Sequence, residues 1–175
     1  MEFNRYDDNN DNRSTQLQSG IPVQPTVDMP MKWHNFLIYF SLWVSAVMNV
    51  RNGFMMFTGA HYGGENEARM VYNFFDGLKS VDVIMGLLFI GMAVFAIVTR
   101  FSLAKFKEKG PKLLLAVYAL NAVLSLGYPL LASAVTGMAL SELMDSSAVG
   151  NIVGAVVMIF INKTYYDKRA HLFVN

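Results

Sequence analysis

The chain of 175 residues contains no cysteine, and charged residues make up only 15% of it. Without cysteine there is no disulfide scaffold, no cysteine zinc site, no covalent haem attachment and no thiol chemistry. The low charged fraction accompanies a hydrophobic fraction of 54% and a mean hydropathy of +0.33. This composition is typical of membrane proteins, and the length leaves room for one folded domain.

The motifs of common catalytic and metal sites are also missing. His34, His61 and His171 are scattered along the chain, and no two of them have the spacing of a helical zinc site. There is no phosphate-binding glycine loop followed by lysine, and no GxSxG nucleophile turn. From these absences we predict no enzymatic activity, no metal and no cofactor, and we expect no nucleic-acid partner.

Four long apolar segments are present, at about residues 33–59, 80–99, 113–135 and 146–162. A helix needs about 20 apolar residues to cross the hydrocarbon core, and a backbone in lipid must pair its polar groups internally. The segments therefore predict an all-α fold, a four-helix transmembrane bundle within residues 31–175. A soluble helical bundle is the alternative, but the second segment lacks the polar face that such a bundle requires.

Residues 1–30 differ in composition from the rest of the chain. They are rich in Asp, Asn, Gln, Ser and Pro and have almost nothing to bury. Such a segment cannot offset the entropy lost on ordering. We therefore predict a disordered cytoplasmic tail, which is either a flexible leader or a docking segment.

The charges between the apolar segments predict an orientation. Residues 100–112 contain five lysines or arginines and one glutamate, and residues 163–169 contain three and one aspartate. Short cytoplasmic links collect lysine and arginine, so we expect both segments in the cytoplasm. The chain is then a multi-pass plasma membrane protein with cytoplasmic N- and C-termini. Trp33, Tyr165 and Tyr166 fit either an aromatic belt at the interface or ordinary packing.

The segment before the second span has its own pattern. Ala68, Val71, Tyr72 and Phe75 recur at helical spacing between polar residues. They predict either an amphipathic helix at the outer interface or an outward extension of the second membrane helix. Because one straight helix over both segments would be longer than the bilayer is thick, we expect a bend near Gly77.

Polar residues inside the apolar segments form the candidate site. Arg51 in the first span and Asp82 in the second have similar predicted depths below the outer surface. We expect them to pair, because a charge within a membrane normally faces a partner or water. The same outer cluster would include Asn49, Asn52, Tyr128, Glu142 and Asp145. It is either an ion pair that fixes helix register, or an arginine that snorkels to the head groups, or a site for an anion or another solute.

Two further features concern helix geometry. Ser146, Gly150 and Gly154 stand four residues apart and include a GxxxG pattern. Small residues let helix backbones approach closely in lipid, so we expect contact with another helix of the same chain, or else a dimer face. Pro129 predicts a kink in the outer part of the third helix.

Three stretches carry a resemblance: MKWHNFLIYFSLWV at 31–44, FKEKGPKLLLAVYA at 106–119 and NKTYYDKRAHLFV at 162–174. They form an interfacial start, a basic turn and an ending with tyrosine and basic residues. With the spacing of the four spans, they resemble uncharacterised small four-pass membrane proteins of Gram-positive bacteria. The resemblance covers the chain from about Pro30 to its end and implies a bacterial membrane protein. It implies no activity and no functional residue.

The absence of a catalytic constellation favours a non-enzymatic scaffold or modulator of membrane partners. The alternative is a small oligomeric transporter or channel with a polar site in the outer half of the bundle. Least favoured is an enzyme that acts on lipid through Asp82, Glu142 or Asp145. The expected partners are the lipid bilayer and either further copies of the chain or other membrane proteins.

Overall fold

The computed structural model describes residues 30–144 and 146–175, and the regular structure in this part of the chain is helical. The elements in order are α1 (Lys32–Phe36), a π-helical turn (Leu37–Ser41), α2 (Leu42–Thr58), a 3-10 turn (Ala60–Tyr62), α3 (Glu65–Phe74), α4 (Leu78–Ala104), α5 (Gly110–Thr136), α6 (Leu140–Leu143), α7 (Ser146–Asp167) and a second 3-10 turn (Ala170–Leu172). The tail predicted at residues 1–30, apart from Pro30, and the predicted site residue Asp145 lie outside the described residues.

Among the described residues, three helices are long and apolar enough to cross a membrane: α4, α5 and, within α7, Ala148–Asp167. This confirms the all-α fold, and three such helices are consistent with the predicted membrane character. The helices extend beyond the predicted spans 80–99, 113–135 and 146–162, because hydropathy marks the apolar part of a helix and not its polar ends. The first predicted span, 33–59, is helical over residues 32–58, but the π-helical turn divides it and α2 alone has 17 residues.

A hydrogen bond from α4 accompanies this π-helical turn. The backbone N–H of Leu42 donates to the carbonyl of Leu37, five residues earlier. The Arg100 guanidinium donates through Nε to the carbonyl of Ile38 at 3.1 Å, and it lies 5.2 Å from the centre of the Trp43 ring. Arg100 therefore joins the end of α4 to the first helical segment and satisfies a carbonyl within the turn.

The helices pack in sequence, α2 on α4, α4 on α5 and α5 on α7. We call the end at which α2 stops and α4 begins the α3 end, and the end that carries the α4–α5 link the basic end. The backbones of α2 and α4 approach closely at two glycines. A Cβ atom on Gly53 would lie 2.9 Å from the carbonyl oxygen of Gly86, and one on Gly86 would lie 3.1 Å from that of Gly53. These two glycines, not a GxxxG pair, make the close contact.

The small residues of α7 do not mark a close approach to another helix of the described chain. A Cβ atom on Gly150 or Gly154 would meet no described atom within 4 Å, and Ser146 is exposed. The expected within-chain packing of these three residues is therefore wrong. The buried side chains of α7 include Ala155 and Asn162, which lie further along the helix, and the two glycines border a cavity instead.

The amphipathic segment is a separate helix, α3, and not a continuation of α4. It ends at Phe74, Phe75 has an extended backbone, and Gly77 takes a φ of +88° before α4 begins. This φ lies in the left-handed region that glycine adopts without strain, and it confirms the bend expected near Gly77. On α3, Ala68 is buried and Tyr72 is half-buried against the bundle.

Candidate functional site

Asp82 is completely buried near the α3 end of α4, with an exposed fraction of 0%. Its Oδ2 atom accepts a hydrogen bond from the Tyr72 hydroxyl at 2.8 Å and lies 3.5 Å from Nε2 of His61. Its Oδ1 atom has no hydrogen-bond partner in the described part of the chain. Asp82 is therefore held by α3 and by the turn that precedes α3.

Arg51 does not pair with Asp82. It is exposed, and the basic side chain beside Asp82 in the structure is His61, at 3.5 Å. The buried row of α2 includes Ala46 and Gly53, and Arg51 lies about 200° around the helix from Gly53. The predicted ion pair is wrong, because equal depth in two helices does not place two side chains on facing sides.

Four other side chains complete the surroundings of Asp82. The hydroxyls of Tyr62 and Tyr128 are 3.2 Å apart, and Nε2 of His61 lies 3.3 Å from the Tyr128 hydroxyl. We call Asp82, His61, Tyr62, Tyr72 and Tyr128 the Asp82 cluster. It joins α3, α4, α5 and the turn after α2 at the α3 end of the bundle. Of the predicted site residues, the structure brings Tyr128 and Asp82 together here.

Tyr62 and Tyr72 are the phenols of this cluster that lie outside the apolar helices, and both are hydrogen-bond donors. Burial raises the pKa of the Tyr62 hydroxyl well above its usual value, and the neighbouring Tyr128 hydroxyl raises it further. Burial likewise raises the pKa of Tyr72, to which the hydrogen bond with Asp82 adds. Both side chains therefore stay neutral at physiological pH and can donate toward the Asp82 carboxylate.

Asn49 and Asn52 lie apart from the Asp82 cluster, on a cavity of about 490 Å³ bordered by α2, α4, α5 and α7. Its polar lining residues are Ser45, Asn49, Asn52, Tyr118, Asn121, Ser125 and Asn151. None of the side chains that line it is charged. We call it the asparagine cavity.

Several polar groups of the asparagine cavity have no protein partner. Asn49 and Asn121 donate through Nδ2 to carbonyls four residues earlier in their own helices, at 2.9 Å and 3.0 Å. The side chains of Asn52, Ser125 and Asn151 form no hydrogen bond to any described residue. An unpaired amide or hydroxyl in an apolar environment costs about 2–7 kcal/mol. Asn52 and Ser125 are half-buried and Asn151 is exposed, so water or a solute can reach these groups and satisfy them.

A second cavity of about 240 Å³ lies between the asparagine cavity and the Asp82 cluster. It shares Phe89, Ser125 and Asn151 with the first cavity, and its lining includes Tyr128 and Pro129. Pro129 lies inside α5 and has no N–H, so the carbonyl of Ser125 loses its usual helical donor. Tyr128 thus belongs both to the Asp82 cluster and to the wall of a cavity that adjoins the asparagines.

The basic end of the bundle is closed by side-chain contacts. Trp33 donates through Nε1 to Oδ1 of Asn162 at 3.0 Å, and Nδ1 of His34 lies 3.0 Å from the Tyr166 hydroxyl. The Tyr118 hydroxyl lies beside Asn162. These contacts join the first helix to α7. Tyr166 is buried and Trp33 is half-buried, so both are packing residues of the bundle.

Several residues of these sites were not predicted. Asn121 and Asn151 interrupt apolar spans in the same way as Asn49, so the same signal could have found them. His61 and Tyr62 lie in a link between spans, where a polar or aromatic residue carries no signal. Glu142, predicted for the outer cluster, is exposed on α6. In the described residues, no three His, Asp or Glu side chains come together to hold a metal ion.

The chain matches no protein family, no curated protein and no solved structure. Its function has to be inferred from its own residues and their geometry.

Proposed function

We propose that the chain is a four-pass membrane protein that binds a small uncharged polar solute in the asparagine cavity and carries it across the membrane. Residues 32–58 supply the fourth crossing. They are helical throughout, and at about 1.5 Å per residue they are about 40 Å long, which exceeds the hydrocarbon thickness of about 30 Å. We prefer the transporter hypothesis to the scaffold hypothesis because polar side chains of the asparagine cavity have no protein partner.

The distribution of charge supports the orientation that we propose, with the basic end and both termini in the cytoplasm and the plasma membrane as the location. The exposed lysines in and around the α4–α5 link are Lys105, Lys107, Lys109 and Lys112. At the α3 end the exposed acidic residues are Glu65, Glu67, Asp76 and Glu142. Lysine-rich short links favour the cytoplasmic side.

The unpaired side chains of Asn52, Ser125 and Asn151 carry this proposal. Amides and hydroxyls both donate and accept hydrogen bonds, so they suit a solute with donors and acceptors on neighbouring atoms. The lack of a charged lining residue argues for an uncharged solute, since an ion in this environment would need a counter-charge. A volume of about 490 Å³ lies in the range of small-molecule sites.

A plain scaffold accounts less well for these side chains. If polar residues served only to fix helix register, they would bond to each other across helices. Here Asn49 and Asn121 bond within their own helices. In the described residues, moreover, hydrogen bonds join the first helix to α7 at the basic end but none joins α2 to α7. A bundle in which α7 is tied to the first helix at the basic end and open toward α2 in the middle suits a carrier that opens to one side at a time.

The experiment fills the cavity without changing its polar groups. Gly154→Leu adds a side chain to the cavity wall, where a Cβ atom meets no described neighbour. Gly91→Leu adds the same bulk to a separate apolar groove between α4 and α5, where a Cβ atom also meets none. Each protein is reconstituted into liposomes. Stopped-flow light scattering then measures permeability to urea, glycerol, xylitol and glucose. We expect the native protein and Gly91→Leu to pass at least one of these solutes, and Gly154→Leu to pass it much more slowly.

Two results would contradict the proposal. Solute permeabilities equal to those of protein-free liposomes for the whole panel would remove transport and favour the scaffold hypothesis. Equal permeabilities of Gly154→Leu and Gly91→Leu would show that the solute does not pass through the asparagine cavity.

A further inference from the structure

The Asp82 carboxyl is buried without a lysine or arginine partner. In the described residues, the basic group near it is His61, at 3.5 Å, and Tyr72 donates to the same oxygen. On its own helix Lys79 is exposed, and on α2 Arg51 is exposed on the opposite face. A buried carboxylate with no compensating charge is strongly unfavourable. The charge must be balanced within the cluster.

The groups that face Asp82 leave few ways to achieve this balance. The cluster side chains come from the turn after α2 (His61 and Tyr62), from α3 (Tyr72) and from α5 (Tyr128). Tyr62 and Tyr72 remain neutral because burial raises the pKa of both hydroxyls. The exchangeable proton therefore resides on Asp82 or on His61.

The neighbours of the two ring nitrogens of His61 indicate where this proton can lie. Its Nδ1 atom lies 3.2 Å from the carbonyl of Met55, which can only accept, so Nδ1 carries a proton. Its Nε2 atom points to Asp82 and to the Tyr128 hydroxyl. If Asp82 were ionised and His61 neutral, an imidazole lone pair would face a buried negative charge. The unfavourable contact is removed when one further proton sits on Nε2 of His61 or on the unpartnered Oδ1 of Asp82.

We propose that Asp82 and His61 form a proton-binding site that controls access from the α3 end to the asparagine cavity. The proton comes from bulk water and returns to it, and no covalent bond other than that to the proton changes. When the proton is bound, the cluster holds the end of α2, α3, α4 and α5 together. When it leaves, the uncompensated carboxylate favours hydration and separation of these elements. Tyr128 passes the change to the cavity wall.

This inference rests on the proposed solute site and names its regulation. It predicts that the cavity is more accessible from the outside at alkaline than at acid pH. Loss of one charge-assisted hydrogen bond changes a two-state population by about tenfold or more. The expected difference in the accessibility rate between acid and alkaline pH is therefore about tenfold.

The native chain has no cysteine, so a single introduced thiol reports accessibility without background. Ser125→Cys places a thiol at the junction of the two cavities, and Asn66→Cys places one on the exposed surface of α3. Intact cells are treated with a cationic, membrane-impermeant methanethiosulfonate from about pH 5 to about pH 9. The same reporters are measured with Asp82→Asn and with His61→Gln, which retain hydrogen-bonding groups but do not titrate.

We expect the labelling rate of Ser125→Cys, relative to Asn66→Cys, to rise about tenfold with pH in the native background. It should be independent of pH when Asp82→Asn is present. If that variant does not fold, His61→Gln gives the same test from the other partner. The same pH dependence in all folded backgrounds would overturn the proton site and leave the solute site intact. No labelling of Ser125→Cys at any pH would instead contradict the open cavity on which the proposed function depends.

Discussion

Replacing Gly53 by alanine tests the packing that positions one wall of the asparagine cavity. The new Cβ atom would lie 2.9 Å from the carbonyl oxygen of Gly86 and 2.9 Å from the Ile90 side chain. The isoleucine can change rotamer, but the carbonyl belongs to the backbone of α4. The two helices must therefore separate. Overpacking of this kind costs about 1–3 kcal/mol.

The matched control is Gly91→Ala, on the same bundle but with no described atom within 4 Å of the new Cβ atom. In both variants alanine gains about 0.5–1 kcal/mol over glycine in a helix. This gain cancels in the comparison, so the two variants should differ in unfolding free energy by the overpacking cost, about 1–3 kcal/mol. For a chain of this size, that separates the melting temperatures by about 5 °C.

Thermal unfolding in mild detergent, followed by the fluorescence of the two tryptophans, measures the difference. We expect Gly53→Ala to melt below Gly91→Ala, with Gly86→Ala between them because its closest new contact is the movable Phe57 ring. Since Asn49 and Asn52 lie on the same helix as Gly53, its displacement should also change solute permeability. Equal melting temperatures for Gly53→Ala and Gly91→Ala would refute the close approach of α2 and α4.

Two further predictions follow from the placement of charge. Arg51→Met should leave the unfolding free energy unchanged or raise it by up to about 3 kcal/mol, because Arg51 is exposed in a membrane span and has no acidic partner in the described residues. A loss of several kcal/mol in the same melting assay would restore the ion pair with Asp82. In intact cells, an impermeant maleimide should label Asn66→Cys but not Lys107→Cys, and labelling at Lys107→Cys would reverse the proposed orientation.

The three long apolar helices were predictable because a helix in lipid needs an apolar segment of defined length, whatever it packs against. The bend at Gly77 followed from the same length argument. The side of each helix that faces the bundle was harder to predict, since it depends on which helices pack against each other. Arg51 and Asp82 have similar depth but lie on sides that do not meet, although the small residues Ala46 and Gly53 mark the packed face of α2. A helical wheel centred on those residues would have turned Arg51 outward.

The GxxxG pattern of α7 led to a wrong prediction of close helix packing, again because the neighbouring helix could not be predicted. Small residues permit a close approach, but they do not supply a partner, and Gly150 and Gly154 border a cavity instead. His61 could not have been assigned from the sequence. Its position beside Asp82 depends on the path of the turn after α2 and on the hydrogen bond that Nδ1 makes to Met55.

The polar side chains of the bundle serve different purposes at different depths. At the basic end, Asn162 accepts from Trp33 and donates to the carbonyl of Met158, so these contacts can close the bundle without any ligand. Near the α3 end, Asp82 has no lysine or arginine partner in the described residues, and we propose that a bound proton balances its charge. Between them, Asn52 and Asn151 lack protein partners and depend on whatever enters the cavity. A scaffold that only fixes helix register needs mutually bonded side chains such as Trp33 and Asn162. A proton-controlled carrier also needs a proton site such as Asp82 and unpartnered polar groups such as Asn52.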